Sequence, residues 1–167
     1  MTTEELFNEL VREHSRKLYA HIRSMVLDHE HTNDILQNTF MKAWQSYNQF
    51  RGEAKPSTWL FRIATNEALQ HLRRQKARRW LGMNLMQTSN KATEIQHPDG
   101  EQIRQKLEAA LHTLSTQQRM IFSMRYFNEM KYSEMSEILN LAEGTLKATY
   151  HHASRKIEQM VKDLIID

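Results

Sequence analysis

SEMSEILNLAEGTLKATYHHASR, Ser133 to Arg155, reads as a short helix, a turn and a longer helix. Ser133 starts the short helix, which runs through Leu139, and Asn140-Leu141 turns the chain. Leu146, Tyr150, Ala153, Ile157, Val161 and Leu164 then recur at helical spacing as a core stripe. That succession has the spacing of a helix-turn-helix, although many helical hairpins share it. Thr145, Lys147, Ala148, His151, His152 and Arg155 avoid the stripe and, in a helix-turn-helix, face a major groove. They hold one Lys and one Arg, a thin set for attracting phosphate. Two cap signals precede this motif. Asp99-x-x-Gln102 stands ahead of Leu107, Ala110, Leu111 and Leu114, and Ser115-x-x-Gln118 ahead of Ile121, Phe122 and Met124.

Toward the N-terminus, residues 81–98 lose periodicity and read as a linker. Beyond it lies a second set of helices. Thr2-x-x-Glu5 forms a capping box ahead of Leu6, Leu10, Leu18, Ile22 and Met25. Asp28 to Thr32 reads as a break, and a helix from about Asn33 to Tyr47 puts Leu36, Phe40, Ala43 and Tyr47 on one face. Opposite them, Asp34, Gln37, Asn38, Met41 and Gln45 share a face of amides, one acid and a Met. That face is under-charged for plain solvent exposure and suits a protein partner. Ser46 to Ser57 reads as a loop, after which Ser57 or Thr58 caps a third helix with Leu60, Ala64, Ala68 and Leu72 as its core stripe. Trp59, Arg62, Asn66, Gln70 and Arg73 form another stripe on that helix, beside Tyr47, Asn48, Phe50, Arg51 and Lys55 from the loop. An aromatic, amides and guanidinium groups on one track are what a single nucleic-acid strand requires: bases stack and phosphates pair with Arg.

The charge supports that assignment. The net charge is +3 over 167 residues, but it divides as +4 in residues 1–80, −1 in 81–100 and zero in 101–167. Five basic groups and no acid stand between His71 and Arg79. Four Gly and two Pro disfavour an all-β chain, and the absence of Cys excludes a disulfide framework, a thiolate zinc site and a Cys nucleophile. The N-terminus has acids and no apolar segment of a signal peptide, and no apolar run reaches the about 18 residues of a membrane span. The fold expected is all-α: two small helical domains, residues 1–80 and 99–167, joined by a flexible linker, 81–98, in an intracellular protein.

The ordered motifs resemble the sigma factors of bacterial RNA polymerase, in the extracytoplasmic-function (ECF) group that keeps only the second and fourth conserved regions. Asp34-Ile-Leu-Gln37-Asn-Thr-Phe40 is similar to that group's acid-x-x-Gln-x-x-Phe signature. Thr58-Trp59-Leu60-Phe-Arg62-Ile63-Ala64-x-Asn66, followed by Leu72-Arg73-Arg74, resembles the segment that reads the −10 promoter element. Leu111-x-x-Leu114, Gln118-Arg119, Tyr132-Ser133-Glu134-Met135 and Gly144-Thr145-Leu146-Lys147 resemble the helix-turn-helix that reads the −35 element. The resemblance implies a transcription initiation factor, not an enzyme, acting in the cytoplasm without a cofactor. Asp34, Gln37, Asn38 and Met41 would dock on core polymerase. Phe50, Arg51, Lys55, Trp59, Arg62, Asn66, Gln70, Arg73 and Arg74 would hold the opened −10 strand, and Thr145, Lys147, Ala148, His151, His152 and Arg155 would sit at the −35 duplex. An anti-sigma factor is the further partner implied.

The chain departs from the family at Ala148-Thr149 and His152-Ala153-Ser154, where many relatives carry Ser-Arg and Arg-Ala-Arg, and at Ala142, where a capping Ser or Thr is usual. Three other readings compete. His29-x-His31 with neighbouring acids suggests a metal-dependent hydrolase, but i/i+2 spacing does not stack ligands on one helical face and no second cluster accompanies it. A plain helix-turn-helix regulator would leave the Asp34/Gln37 face without a use. A sigma-like decoy would bind polymerase and open no promoter.

Overall fold

In the computed structural model the backbone is described for residues 1–82 and 100–165, and side chains for 1–82 and 105–163. The described residues form helices and no strand: α1 (Thr3–Val26), α2 (His29–Ser46), a 3₁₀ turn (Tyr47–Gln49), α3 (Pro56–Trp80), α4 (Gly100–His112), α5 (Thr116–Tyr126), α6 (Tyr132–Leu139) and α7 (Glu143–Ile165). Both capping boxes form: Thr2 Oγ1 accepts from the Glu5 amide and Ser115 Oγ from the Gln118 amide. Asp99 and the linker positions 83–98 lie outside the described residues, as does the Leu164 side chain.

Three helix starts differ from those expected. Helix α2 begins at His29, because Asp28 caps it by accepting from the His31 amide at 3.0 Å, while Leu27 turns the chain with a left-handed φ of 63°. The polar run Asp28–Thr32 is thus the first turn of a helix. Helix α3 starts at Pro56, where the missing N–H costs nothing; Lys55 stands at its cap and Thr58 is buried. Helix α6 starts at Tyr132, with Lys131 at the cap and no side-chain bond there.

Helices α1, α2 and α3 pack on one another, and in the second half α4, α5 and α6 each pack on α7. Leu18, Ile22, Met25, Leu60, Ala64 and Ala68 are buried as their spacing requires. At the N-terminus Phe7 is buried, while Leu6 is 44% exposed; the two are neighbours on the helix, and the larger ring meets Trp44 and Tyr47. On α2 the buried residues are Thr32, Ile35, Thr39 and Ala43, with Leu36, Phe40 and Tyr47 flanking them. In the second half Ala110, Leu114, Phe122, Ala153 and Ile157 form a core of their own.

The two halves also pack together. Helix α5 lies on α1 and α6 on α3, and Met120, Ile121, Met124, Met130, Met135, Ile138 and Leu146 share one apolar cluster with the first half's core. Arg119, buried on α5, ties the seam. Its guanidinium donates to Leu114 O (2.8 Å) in its own half and to Ser24 O (2.7 Å) and Met25 O (3.2 Å) at the end of α1. Asn128 Nδ2 adds a bond to Lys17 O at 3.3 Å.

One core residue carries a pH dependence. His21 is fully buried, with Nε2 2.7 Å from Thr65 Oγ1. Thr65 gives its single hydroxyl proton to Phe61 O, so His21 Nε2 donates and Nδ1 is left buried without a partner. Burial pushes the pKa from the ordinary 6.5 to about 4. The unfolded chain therefore binds a proton that the folded chain refuses, and stability is lost as pH falls from 6.5 toward 4. The loss expected from this group between pH 7 and pH 5 is about 2 kcal/mol. Urea unfolding at both pH values should show it in the native chain and not in His21→Gln; an equal loss in both would contradict the assignment.

Candidate functional site

Three surfaces carry the expected residues. The first is the outer face of α2. Asp34, Gln37, Asn38, Met41 and Gln45 are all exposed, and none of their side chains makes a hydrogen bond or ion pair to another described residue. Met41 is 59% exposed, and Trp44, which sequence spacing did not single out, stands beside it at 46%. The indole packs on Phe7 at 5.0 Å between ring centres, which fixes it at the edge of the face. An exposed Met and Trp among unpaired amides is a surface that gains by meeting another protein.

The second surface lies where the loop before α3 folds against that helix. Ser46, Gln49, Phe50, Arg51, Glu53, Ala54, Trp59 and Arg62 line an open cleft of about 470 Å³. Trp59 is half-buried and stacks on Phe50, with ring centres 4.7 Å apart and planes 25° apart. The Tyr47 ring stands 6.3 Å from the indole, tilted by 41°. The structure thus brings Phe50, Arg51, Trp59 and Arg62 into one place. Lys55 lies nearby, and Asn66, Gln70, Arg73 and Arg74 continue along the exposed side of α3. Gln49 and Glu53 complete the wall and were not expected, because their position depends on how an irregular loop closes. Glu53 supplies an acceptor suited to an exocyclic amine of a base.

Two cations of this surface are already engaged. Arg62 Nε donates to Glu137 O of α6 at 2.9 Å, and Lys55 Nζ is 3.7 Å from the Glu134 carboxylate. In the packed chain both donors are turned toward α6.

The third surface is the start of α7. Thr145, Lys147, Ala148, His151, His152 and Arg155 are all exposed. The turn before them is held by Asn140 in a left-handed conformation and by Ser136 Oγ donating to Leu141 O at 2.6 Å. Ala142 O accepts the first helical bond from Leu146, so Ala142 stands at the cap without a side-chain oxygen; that costs about 1 kcal/mol relative to Ser or Thr. Lys147 lies over the Tyr132 ring at 5.7 Å, and Arg125 over the same ring at 4.7 Å.

The histidines near the start of α2 are occupied structurally. His29 Nδ1 meets the Tyr19 hydroxyl at 2.5 Å, and His31 Nδ1 meets Asp28 at 2.5 Å. The His31 ring lies 4.6 Å from that of His71 on α3. Burial, then His31, Arg74 and Arg78, lower the pKa of His71. Among the described residues no group of three His, Cys, Asp or Glu could hold a metal ion.

Comparison with known proteins gives the class. Residues 10–78 match sigma-70 region 2 and residues 104–157 match sigma-70 region 4. The chain belongs to the sigma-70 family of transcription initiation factors, whose two regions bind core RNA polymerase and promoter DNA. Its relatives place it in the ECF group. It is 28% identical to the ECF sigma factor SigX of Bacillus subtilis, covering 98% of this chain and 89% of SigX. It is 27% identical to the ECF sigma-E factor of Escherichia coli K12, covering 97% and 90%. The fold matches the sigma factor RpoE of Bartonella quintana in its complex with the anti-sigma factor NepR, with a TM-score of 0.75, 24% identity and coverage of 93% and 96%. It also matches CnrH in complex with the cytosolic domain of CnrY, with a TM-score of 0.72, 19% identity and coverage of 96% and 90%. The chain is a promoter-specific initiation factor rather than a decoy, and a plain regulator would lack region 2. Among the described residues no helix is long and apolar enough to cross a membrane.

Proposed function

We propose that residues 1–80 form the module that docks on core polymerase and holds the −10 element, that residues 81–98 are a linker, and that residues 99–167 read the −35 element. Asp34, Gln37, Asn38 and Met41 make the polymerase contact, extended by Trp44. Phe50, Arg51, Lys55, Trp59, Arg62, Asn66, Gln70, Arg73 and Arg74 hold the opened strand. Thr145, Lys147, Ala148, His151, His152 and Arg155 lie at the −35 groove. The observation that carries the reading is the cleft in which Phe50, Arg51, Trp59 and Arg62 converge.

The chain performs no covalent chemistry. An aromatic cleft favours unstacked bases over paired ones, and that difference in binding supplies the energy for opening, which costs a few kcal/mol for each extruded base. It works in the cytoplasm, where the polymerase is. An anti-sigma factor is its further partner and holds it inactive; the similar fold of RpoE bound to the anti-sigma factor NepR supports that partner. The groove between the halves, of about 550 Å³ and lined by Tyr19, Arg23, Leu27, Leu111, His112 and Phe127 among others, is the place for a helix of that partner.

The test is binding of the full chain to core polymerase. Asp34→Ala combined with Gln37→Ala is expected to weaken it by at least tenfold, the effect of removing about 1.4 kcal/mol of interface energy. Equal affinity of the native and double-substituted chains would overturn the docking assignment.

A further inference from the structure

The last turns of α3 carry more charge than the strand cleft uses. From Lys76 to Leu81 every residue is exposed, so the helix runs clear of the body for about 9 Å. Arg73, Arg74, Lys76, Arg78 and Arg79 have no acidic partner among the described residues. Arg74 and Arg78 stand at i,i+4, and Arg73/Lys76 and Lys76/Arg79 at i,i+3, spacings at which like charges oppose helix formation. Compensation of the helix dipole accounts for cations in the last turn, but it fades within that turn. It does not account for the cations farther back or for Trp80, which ends the helix 86% exposed, the most exposed of the large apolar side chains described. The Leu81-Gly82 turn closes the helix by local bonds, Leu81 N–H to Ala77 O at 3.0 Å and Gly82 N–H to Arg79 O at 3.1 Å, and among the described residues no other hydrogen bond supports this end.

The arrangement of these groups selects the ligand. Lys76 and Trp80 extend the stripe of Trp59, Arg62, Asn66, Gln70 and Arg73, so the track that starts at the strand cleft continues to the helix end, about 30 Å away. Arg78 and Arg79 lie on other sides of the helix, at 100° per residue. A single strand presents phosphate to one side, whereas a groove of duplex DNA has phosphate on both walls and admits a helix. We propose that Lys76, Arg78, Arg79 and Trp80 form a second, sequence-independent grip, on the backbone of duplex DNA adjoining the opened segment. The three cations pair with phosphates across a groove and Trp80 packs against the sugars of its wall. This rests on the reading of α3 as the −10 helix and adds a ligand contact to it.

The helix end is exposed in the packed chain, so the full chain without polymerase tests the grip. Fluorescence anisotropy is measured with a 30-base-pair duplex and with a 12-nucleotide single strand, each between 50 and 200 mM salt. Each phosphate paired with a protein cation contributes about 0.9 to the slope of log affinity against log salt on duplex. For Arg78→Gln with Arg79→Gln, the fall in duplex affinity across that range should be about twelvefold smaller than for the native chain. Single-strand binding should be unchanged. Trp80→Ala should weaken duplex binding severalfold without changing the slope. Arg12→Gln with Arg16→Gln, which removes the same charge from exposed positions of α1, should leave the duplex slope as it was. An unchanged slope in the Arg78/Arg79 variant overturns the proposal, as does an equal effect on the single strand or from the α1 variant. A chain that shows the slope change yet does not bind core polymerase keeps the grip and overturns the proposed function; the two can fail separately.

Discussion

Trp59→Ala is expected to lower the affinity of the reconstituted polymerase for an opened −10 strand roughly ten- to a hundredfold, because stacking on an aromatic side chain is worth about 1–3 kcal/mol per base. The indole is half-buried, stacked on Phe50 and near Tyr47, and lines the cleft with Arg51 and Arg62. Truncation therefore removes the stacking surface and also frees the Phe50 ring, widening the cleft. Core docking, which we propose runs through the outer face of α2, should be unaffected. Trp59→Phe, which keeps a smaller ring, should retain most of the affinity. The measurement is binding of a forked template, with the −10 strand unpaired, at equal occupancy of core by each variant. Native affinity in Trp59→Ala would mean that the indole is packing alone.

Arg119→Ala is expected to cost about 3 kcal/mol of stability and to loosen the two halves. Hydrogen bonds from a charged donor are worth about 1.5–3 kcal/mol, and the truncation leaves carbonyls at the end of α1 and at Leu114 without their partner. Two of those carbonyls belong to the other half of the chain, so the effect is felt at the seam as well as within α5. A packed chain of this length has a radius of gyration of about 15 Å. Solution scattering should give that value for the native chain and a larger one for Arg119→Ala, with a lower urea midpoint. Unchanged stability, within about 0.5 kcal/mol, would show that the seam does not depend on this side chain. Opening should also release Arg62 and Lys55, which α6 holds in the packed form and which we propose hold the −10 strand.

Features that depend on nearby residues were legible in the sequence. The Thr2/Glu5 and Ser115/Gln118 boxes are local bonds, and each formed as its spacing required. The exposed face of α2 followed from helical period alone. The start of α2 did not, because Leu27 takes a left-handed conformation without a glycine to mark it, which makes Asp28 a cap and His29–Thr32 a first turn. The exchange of Leu6 for Phe7 in the core reflects a period that tolerates one residue of error until a partner, here Trp44, chooses between them. Gln49 and Glu53 entered the cleft through loop closure, which no spacing rule describes. The bonds of Arg119 to residues 94 and 95 positions away depend on how the halves meet, and nothing near Arg119 in sequence encodes that.

Run-off transcription by bacterial core polymerase on fragmented host DNA, with and without this chain and with the 5′ ends of the transcripts sequenced, tests promoter direction itself. New starts that share two upstream boxes at constant spacing, and that disappear with Asp34→Ala/Gln37→Ala, are the predicted result. No new starts from a chain that demonstrably binds the polymerase would contradict the claim that these surfaces direct it to promoters.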